Sequence, residues 1–532
     1  MKNKMYAITL VAIMALAIGV PTVQAATWQG DSSTNWHFAG NWNTGAVPGA
    51  GDIAAFNATF TGNDQPEVRD GKNGYIGKIN FLTTATRNLV LTVNGTLHLD
   101  ENAGVTVNQA NTTKYMSFSG AGLLVQTAVN GEAVWYAKNA LYVNTATFQN
   151  SCANLIMNAN TGALIRVRSD YTGTGNITKI GEGKLLFDST VANTNTGNIT
   201  VEVGQLQLNQ TTVDGTFVGG TIFVNQTGAT LADVLFSQND QIANTSGINI
   251  TKGQVDMNTK TDTIASLILN GTDALVIGGT GELTVLADVD ARAGTITTVL
   301  AGDAGLDKTT DGTVVLGGTN TYTGTTTVSA GELDITGSVA GNVTVDGGLL
   351  SYNSTTELTN ITFTSGSIGG EGDVDFGGLA LGSSHTLAPG NSIGSQTLSG
   401  ISGLNGAAYE LEFGLGLAQN NDKLTIEGDV ALTALTIDLY TMLDTDTRGN
   451  MDGFDQSQNY VWEDVLTITG TVTGTVDNIT LDTTNVTDSY SGTFSIADSG
   501  GGAYDLEYNI PEPATMSLLA LGGIAMLKRR KK

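Results

Sequence analysis

The chain has 532 residues and carries 23 Lys and Arg against 50 Asp and Glu, a formal net charge of −27. So acidic a surface excludes binding to nucleic acid or anionic lipid by charge. A single Cys (Cys152) excludes an intramolecular disulfide framework and reads as a small buried apolar residue, and 6 Pro against 69 Gly exclude a proline-rich stalk.

The first element is residues 1–25. Lys2 and Lys4 precede an apolar core from Ile8 to Val20, and Val23-Gln24-Ala25 closes it with a small residue. This order predicts a secretory signal peptide cut by signal peptidase between Ala25 and Ala26. Without Lys2, Lys4 and five C-terminal basic residues, 16 basic residues remain, and the body's net charge approaches about −34.

Residues 26–510 form the body. Trp28, Asn35-Trp36, Asn41-Trp42, Val47-Pro48 and Gly51-Asp52 concentrate aromatics and turn residues at its start. They are expected to cap the first layer of strands, which otherwise offers an unpaired edge. An aromatic platform for carbohydrate is the alternative. Short alternating runs follow: Leu89–Val93, Thr221–Val224, Ser266–Leu269 and Leu435–Leu439, each bounded by Gly, Asn, Asp or Thr. Period-2 patterning with turn residues between predicts strands and almost no helix. Asn94-Gly95, Asp311-Gly312 and Asp346-Gly347 read as hairpin dipeptides.

Two stretches repeat. In residues 179–206 and 308–333, Lys179 aligns with Lys308, Gly183 with Gly312 and Phe187 with Leu316. After a two-residue insertion, Gly197 aligns with Gly324, Val201 with Val328, Gly204 with Gly331 and Leu206 with Leu333. Each copy is strand, polar corner, strand, Gly corner. One copy cannot bury its apolar face, whereas stacked copies bury a continuous interior. The expected fold is all-β, most simply a right-handed parallel β-helix or solenoid.

The copy at 308–333, with Asn320-Thr321-Tyr322-Thr323-Gly324, resembles the autotransporter-associated β-strand repeat. The earlier copy has Asn195 in place of Tyr322. Leu387-Ala388-Pro389-Gly390-Asn391-Ser392-Ile393-Gly394, Tyr409–Phe413 and Asp422–Ile426 are similar to late passenger regions of the same family, and the Trp-rich start to its N-terminal edge. The family's outer-membrane barrel is not expected, because the sequence lacks the series of strands it needs.

Candidate chemistry is sparse. His37, His98 and His385 lack metal-ligand spacing. Gly390-Asn391-Ser392-Ile393-Gly394 fits G-x-S-x-G, but Pro389 precedes it and β-like sequence follows, where a nucleophile elbow needs a strand and then a helix. Asp444-Thr445-Asp446-Thr447-Arg448-Gly449 begins like a calcium loop, yet Arg448 is a cation where a ligand belongs. A looser acidic calcium site is the alternative. Glu410 and Glu412 fall on one face of a strand, a pairing that suits a glycosidase or lyase and also arises by chance among so many carboxylates.

The last element is residues 511–532. Pro511-Glu512-Pro513 is rigid and extended, Ala514–Leu527 carries no charge, and Lys528, Arg529, Arg530, Lys531 and Lys532 end the chain. As a single hydrophobic helix, the apolar run spans roughly 21 Å, short of a roughly 30 Å hydrocarbon core. Flanking Lys and Arg that snorkel allow it to cross, and the basic cluster fixes that end in the cytoplasm. The three parts together resemble the PEP-CTERM sorting signal. That resemblance implies an exosortase that removes the helix and passes the protein to the cell surface or extracellular matrix, with membrane anchoring only before cleavage. The expected function is a non-enzymatic structural protein of a biofilm or exopolysaccharide setting, with no cofactor, no metal and no nucleic-acid partner. A polysaccharide-acting enzyme on the same β-helix, marked by carboxylates and a basic residue clustered in one groove, and a carbohydrate-binding adhesin are the alternatives.

Overall fold

The computed structural model describes residues 25–510, apart from 31–32, 57–64, 83–87, 109–113, 128–131, 192, 212–218, 391 and 416–420. The signal segment up to residue 24 and all of 511–532 lie outside the described residues. The described chain is nearly all β, and its helical content is two three-residue 3-10 turns at Ala39–Asn41 and Val476–Asn478.

Most strands pair in parallel with a strand one turn of chain away, usually skipping the strand between, although Ala232–Phe236 pairs with the next strand, Gly247–Asp256. Asn176–Ile180 pairs with Ile199–Val201, which pairs with Ile222–Asn225. Beside them, Lys184–Phe187 pairs with Gly204–Leu208 and then with Ala232–Phe236. Thr261–Ile264, Glu282–Val285 and Val299–Ala301 make a separate parallel sheet. One turn takes 17 residues between Thr326 and Val343 and 28 between Gly204 and Ala232. The result is the expected β-solenoid.

This topology corrects the hairpin reading. Asn94-Gly95 and Asp311-Gly312 sit at corners between strands that do not pair with each other, and Asp346-Gly347 lies within the strand Val343–Tyr352, at a register shift. A polar residue before a glycine turns the chain in either setting. What decides the partner is the apolar interior, which a flat hairpin would leave exposed.

Alternation along each strand fills that interior. In Asn154–Ala159, Leu155, Met157 and Ala159 point in while Ile156 points out. Phe118, Trp135, Phe148, Tyr171 and Phe187 stack along the axis with successive centroids 6.1, 5.0, 5.4 and 5.6 Å apart. Cys152 is buried in the same core. One apolar cluster runs from Ala26 to Tyr508.

Both ends are closed by aromatic side chains. Trp28, Trp36 and Trp42 are buried, with Trp42 edge-on to Trp28 at 5.0 Å and to Trp36 at 4.8 Å. The start therefore caps the core, and the carbohydrate-platform alternative fails for these rings because their faces are covered. At the other end the parallel order stops. Ala503–Asn509 pairs antiparallel with both Tyr460–Ile468 and Thr493–Gly500, over a cluster of Phe413, Trp462, Phe494 and Tyr508. Antiparallel strands here use up the edge that a last parallel rung would offer to another chain.

Candidate functional site

The clearest groove lies late in the solenoid, a cavity of about 260 Å³ between Glu332 on one side and Glu410, Glu412, Ser392 and Arg448 on the other. Glu410 and Glu412 alternate onto the outer face of Ser395–Phe413, which pairs with Val430–Thr441 so that Glu410 stands beside Asp438 and Glu412 beside Tyr440. The loop after that strand turns back tightly: Leu443 N donates to Thr447 O at 2.8 Å, and Gly449 N to Thr441 O at 2.8 Å. That turn carries Arg448 over the groove. Its Nε donates to Glu412 Oε1 at 2.6 Å, its Nη2 to Glu410 Oε2 at 2.9 Å, and its guanidinium sits 3.5 Å from the Tyr440 ring centre. The segment that began like a calcium loop is thus an arm that supplies a cation.

Behind the groove, Asp422 is buried and accepts from the backbone N–H of Gly394 at 2.8 Å and of Glu412 at 2.7 Å. Burial still pushes its carboxyl well above the usual carboxylate range. Burial also raises Asp438, helped by the neighbouring charges of Asp482 and Glu410. Ser392 Oγ donates to Thr445 O and to Glu412 Oε2, and the next regular element is a strand. No nucleophile elbow forms.

The three histidines stay apart. His37 bonds Asn73 O, His98 stacks on Tyr75 at 4.6 Å, and His385 is buried against Phe363. Among the described residues no group of three or more His, Cys, Asp or Glu is arranged to hold a metal ion. Of the predicted processing sites, Ala25 and Ala26 are described. Ala26 opens the first strand, paired with Ala54 and buried. Pro511, Glu512, Pro513 and Lys528 to Lys532 lie outside the described residues, and no helix among the described ones is long and apolar enough to cross a membrane.

Sequence reasoning missed two polar devices. The pairing of Arg448 with Glu410 and Glu412 spans almost forty residues, and its only local signal was a cation in an acidic loop. Lys179 and Lys308 are fully buried. Lys179 Nζ donates to the carbonyls of Ile180, Gly181 and Val203 at 3.0, 2.6 and 2.9 Å. Lys308 does the same with Thr310 and Ala330. Their alignment between the two copies was the available clue.

The fold defines a capped parallel β-solenoid with an acidic exterior. Comparison with known families finds matches at the repeats and at the terminus. The family described as Passenger-associated-transport-repeat matches residues 177–208 and 306–335, and the PEP-CTERM protein-sorting motif matches residues 509–532. The chain therefore carries autotransporter-type repeats and a PEP-CTERM motif, which indicates an extracellular protein sorted by an exosortase. No curated protein and no solved structure matches.

Proposed function

We propose that this protein is a non-enzymatic structural component of the cell surface or extracellular matrix, acting in a biofilm or exopolysaccharide setting. The observation that carries the reading is the PEP-CTERM motif closing a solenoid whose ends are both capped. A rod with one continuous apolar interior and rows of Thr, Asn and Gln outside has the form of a scaffold. In this reading signal peptidase cuts before Ala26, and Lys528–Lys532 stop transfer with Ala514–Leu527 in the bilayer. That holds Pro511-Glu512-Pro513 at the outer surface for exosortase. Intact-mass spectrometry of the extracellular protein tests it. The released chain should begin at Ala26 and lack Lys528–Lys532. An extracellular chain that keeps that basic end overturns the sorting reading in favour of a plain tail anchor.

A second reading is favoured by one observation, the gathering of Glu410, Glu412, Ser392 and Arg448 in one groove. It makes the protein a polysaccharide-acting enzyme. Against it, both glutamates face one arginine, whereas glycoside cleavage needs an acid and a base placed on either side of the bond. Release of new reducing ends from acidic polysaccharide, lost in Glu412→Gln, would establish this reading. No release from any polysaccharide tried would leave the scaffold.

A further inference from the structure

A second groove, early in the solenoid, joins basic and aromatic side chains on one outer face. Register places Val90, Ser117, Tyr142 and Arg166 side by side on successive rungs. Next to that row, Arg168 N bonds Val143 O, which sets Arg168 beside Asn144. Tyr115 completes the wall, 5.1 Å from Tyr142 and edge-on to it. The space enclosed is about 260 Å³. Two of the eight arginines in a strongly acidic chain meet here.

Their charge is partly spent. Asp188 Oδ2 accepts from Arg166 Nε at 2.8 Å and from Arg166 Nη2, and from Arg168 Nε at 3.3 Å. Two guanidinium groups and one carboxylate leave a net charge of about +1. The Arg168 side chain is half exposed, and its Nη groups have no partner among the described residues. Asn144 donates from Nδ2 to Ser117 Oγ, while its buried Oδ1 accepts from nothing. The groove therefore offers a planar donor fork and an aromatic wall.

We infer that this groove binds a uronic-acid unit of an acidic polysaccharide. The carboxylate lies on the Arg168 fork, whose geometry matches it in a bidentate pair. The sugar ring lies against Tyr142 and Tyr115. A bare anion leaves the tyrosine wall unused. A polyphosphate has no sugar ring to lie against the tyrosines, and it packs its charges more closely than a uronate chain does, so a protein of net charge −27 repels it more. The inference rests on the matrix reading for the presence of such a polymer, and it supplies that polymer's chemistry.

The test is calorimetric titration of the full-length chain in mild detergent. The probes are short oligomers of glucuronic, galacturonic and mannuronic acid, a glucose oligomer of equal length, and inorganic phosphate. At least one uronate oligomer should bind saturably, about tenfold or more tighter than the glucose oligomer. Arg168→Gln and Tyr142→Ala should each weaken it about tenfold, the scale of losing one charge-assisted fork or one ring face. Tyr142→Phe should retain it, and unchanged far-UV circular dichroism shows that the variants fold. Equal binding of glucose and uronate oligomers, displacement by phosphate at similar concentration, or binding that survives both weakening variants overturns the assignment. Absence of uronate binding overturns it too, and in a chain that is still exported and trimmed it leaves the sorting reading in place.

Discussion

Lys179 and Lys308 occupy the same corner in the two matched repeats, and each turns its buried ammonium onto carbonyl oxygens of its own corner and of the following rung. The contact ties successive rungs through one side-chain amine. It also sits where Gly204 and Gly331 adopt positive φ, +74° and +61°, which only glycine does without strain. The glycine turns carbonyls inward, and the lysine satisfies them.

A pH dependence follows from that burial. An ordinary lysine titrates near 10.5, and burial pushes Lys179 down to about 7. Between those values the unfolded chain holds a proton that the folded chain has released, so stability rises with pH across that window. Lys308 is shifted in the same direction, also chiefly by burial. Denaturant midpoints measured from pH 6.5 to 10 should rise more steeply in the native chain than in Lys179→Met. Parallel curves would show that the ammonium keeps its charge through its carbonyl contacts.

Close stacking at corners predicts a sharp contrast between glycines. A Cβ on Gly324 would lie 2.3 Å from Ala304 C and 2.4 Å from Gly305 N, both backbone atoms of the adjoining rung. Gly324→Ala should cost about 1–3 kcal/mol through forced separation of rungs. Gly453 has φ +77° but open space around it, so Gly453→Ala carries only the cost of a left-handed conformation, about 1 kcal/mol. Thermal unfolding of the two variants checks the order, and equal losses would mean that corner packing is looser than the geometry states.

The groove near the C-terminal end predicts a local effect. Glu412 is nearly covered, and its side chain is 11% exposed, whereas Arg448 is 45% exposed. Removing the arginine strands a poorly hydrated carboxylate, a loss that solvent at the guanidinium reduces to about 1–2 kcal/mol. Arg448→Gln should free the arm at residues 443–449 for faster limited proteolysis. Pairing it with Glu412→Gln should restore much of the resistance, and simple additivity of the two changes would show that the ion pair is not what holds the arm.

How much of this was legible in the sequence depended on the range of the signal. Leu89–Val93 and Ser266–Leu269 announced strands because alternation is local. The corner at Asn320–Gly324 was readable as a motif, and its role is now physical: buried Asn320 Oδ1 accepts from Leu300 N, and Tyr322 OH bonds Thr326 Oγ1. In the earlier copy, Asn195 stands in place of Tyr322, and it too is buried, bonding Gly197 N and Gly175 O. Pairing partners were not legible, since Asn94-Gly95 turns the chain without choosing what it returns to. Arg448 with Glu412, and Arg166 beside Tyr142, are contacts between rungs. Their residues become neighbours only after turn length fixes the register.

The N-terminal cap gives the prediction that probes the architecture itself. Trp42 is edge-on to both Trp28 and Trp36, and its Nε1 donates to Trp36 O at 2.9 Å. Trp42→Ala leaves a cavity at the open end of the stack, at a cost of about 3–5 kcal/mol. In a solenoid each rung contacts only its neighbours, so the damage stays near the end. Hydrogen exchange read by mass spectrometry should rise over Ile53–Phe56 and Asn73–Phe81. It should stay unchanged over residues 177–208, where Lys179 and the stacked interior hold the rungs independently. Loss of protection along the whole body would mean that it folds as one cooperative unit. No change near the terminus would mean that the three tryptophans are not what closes the first rung.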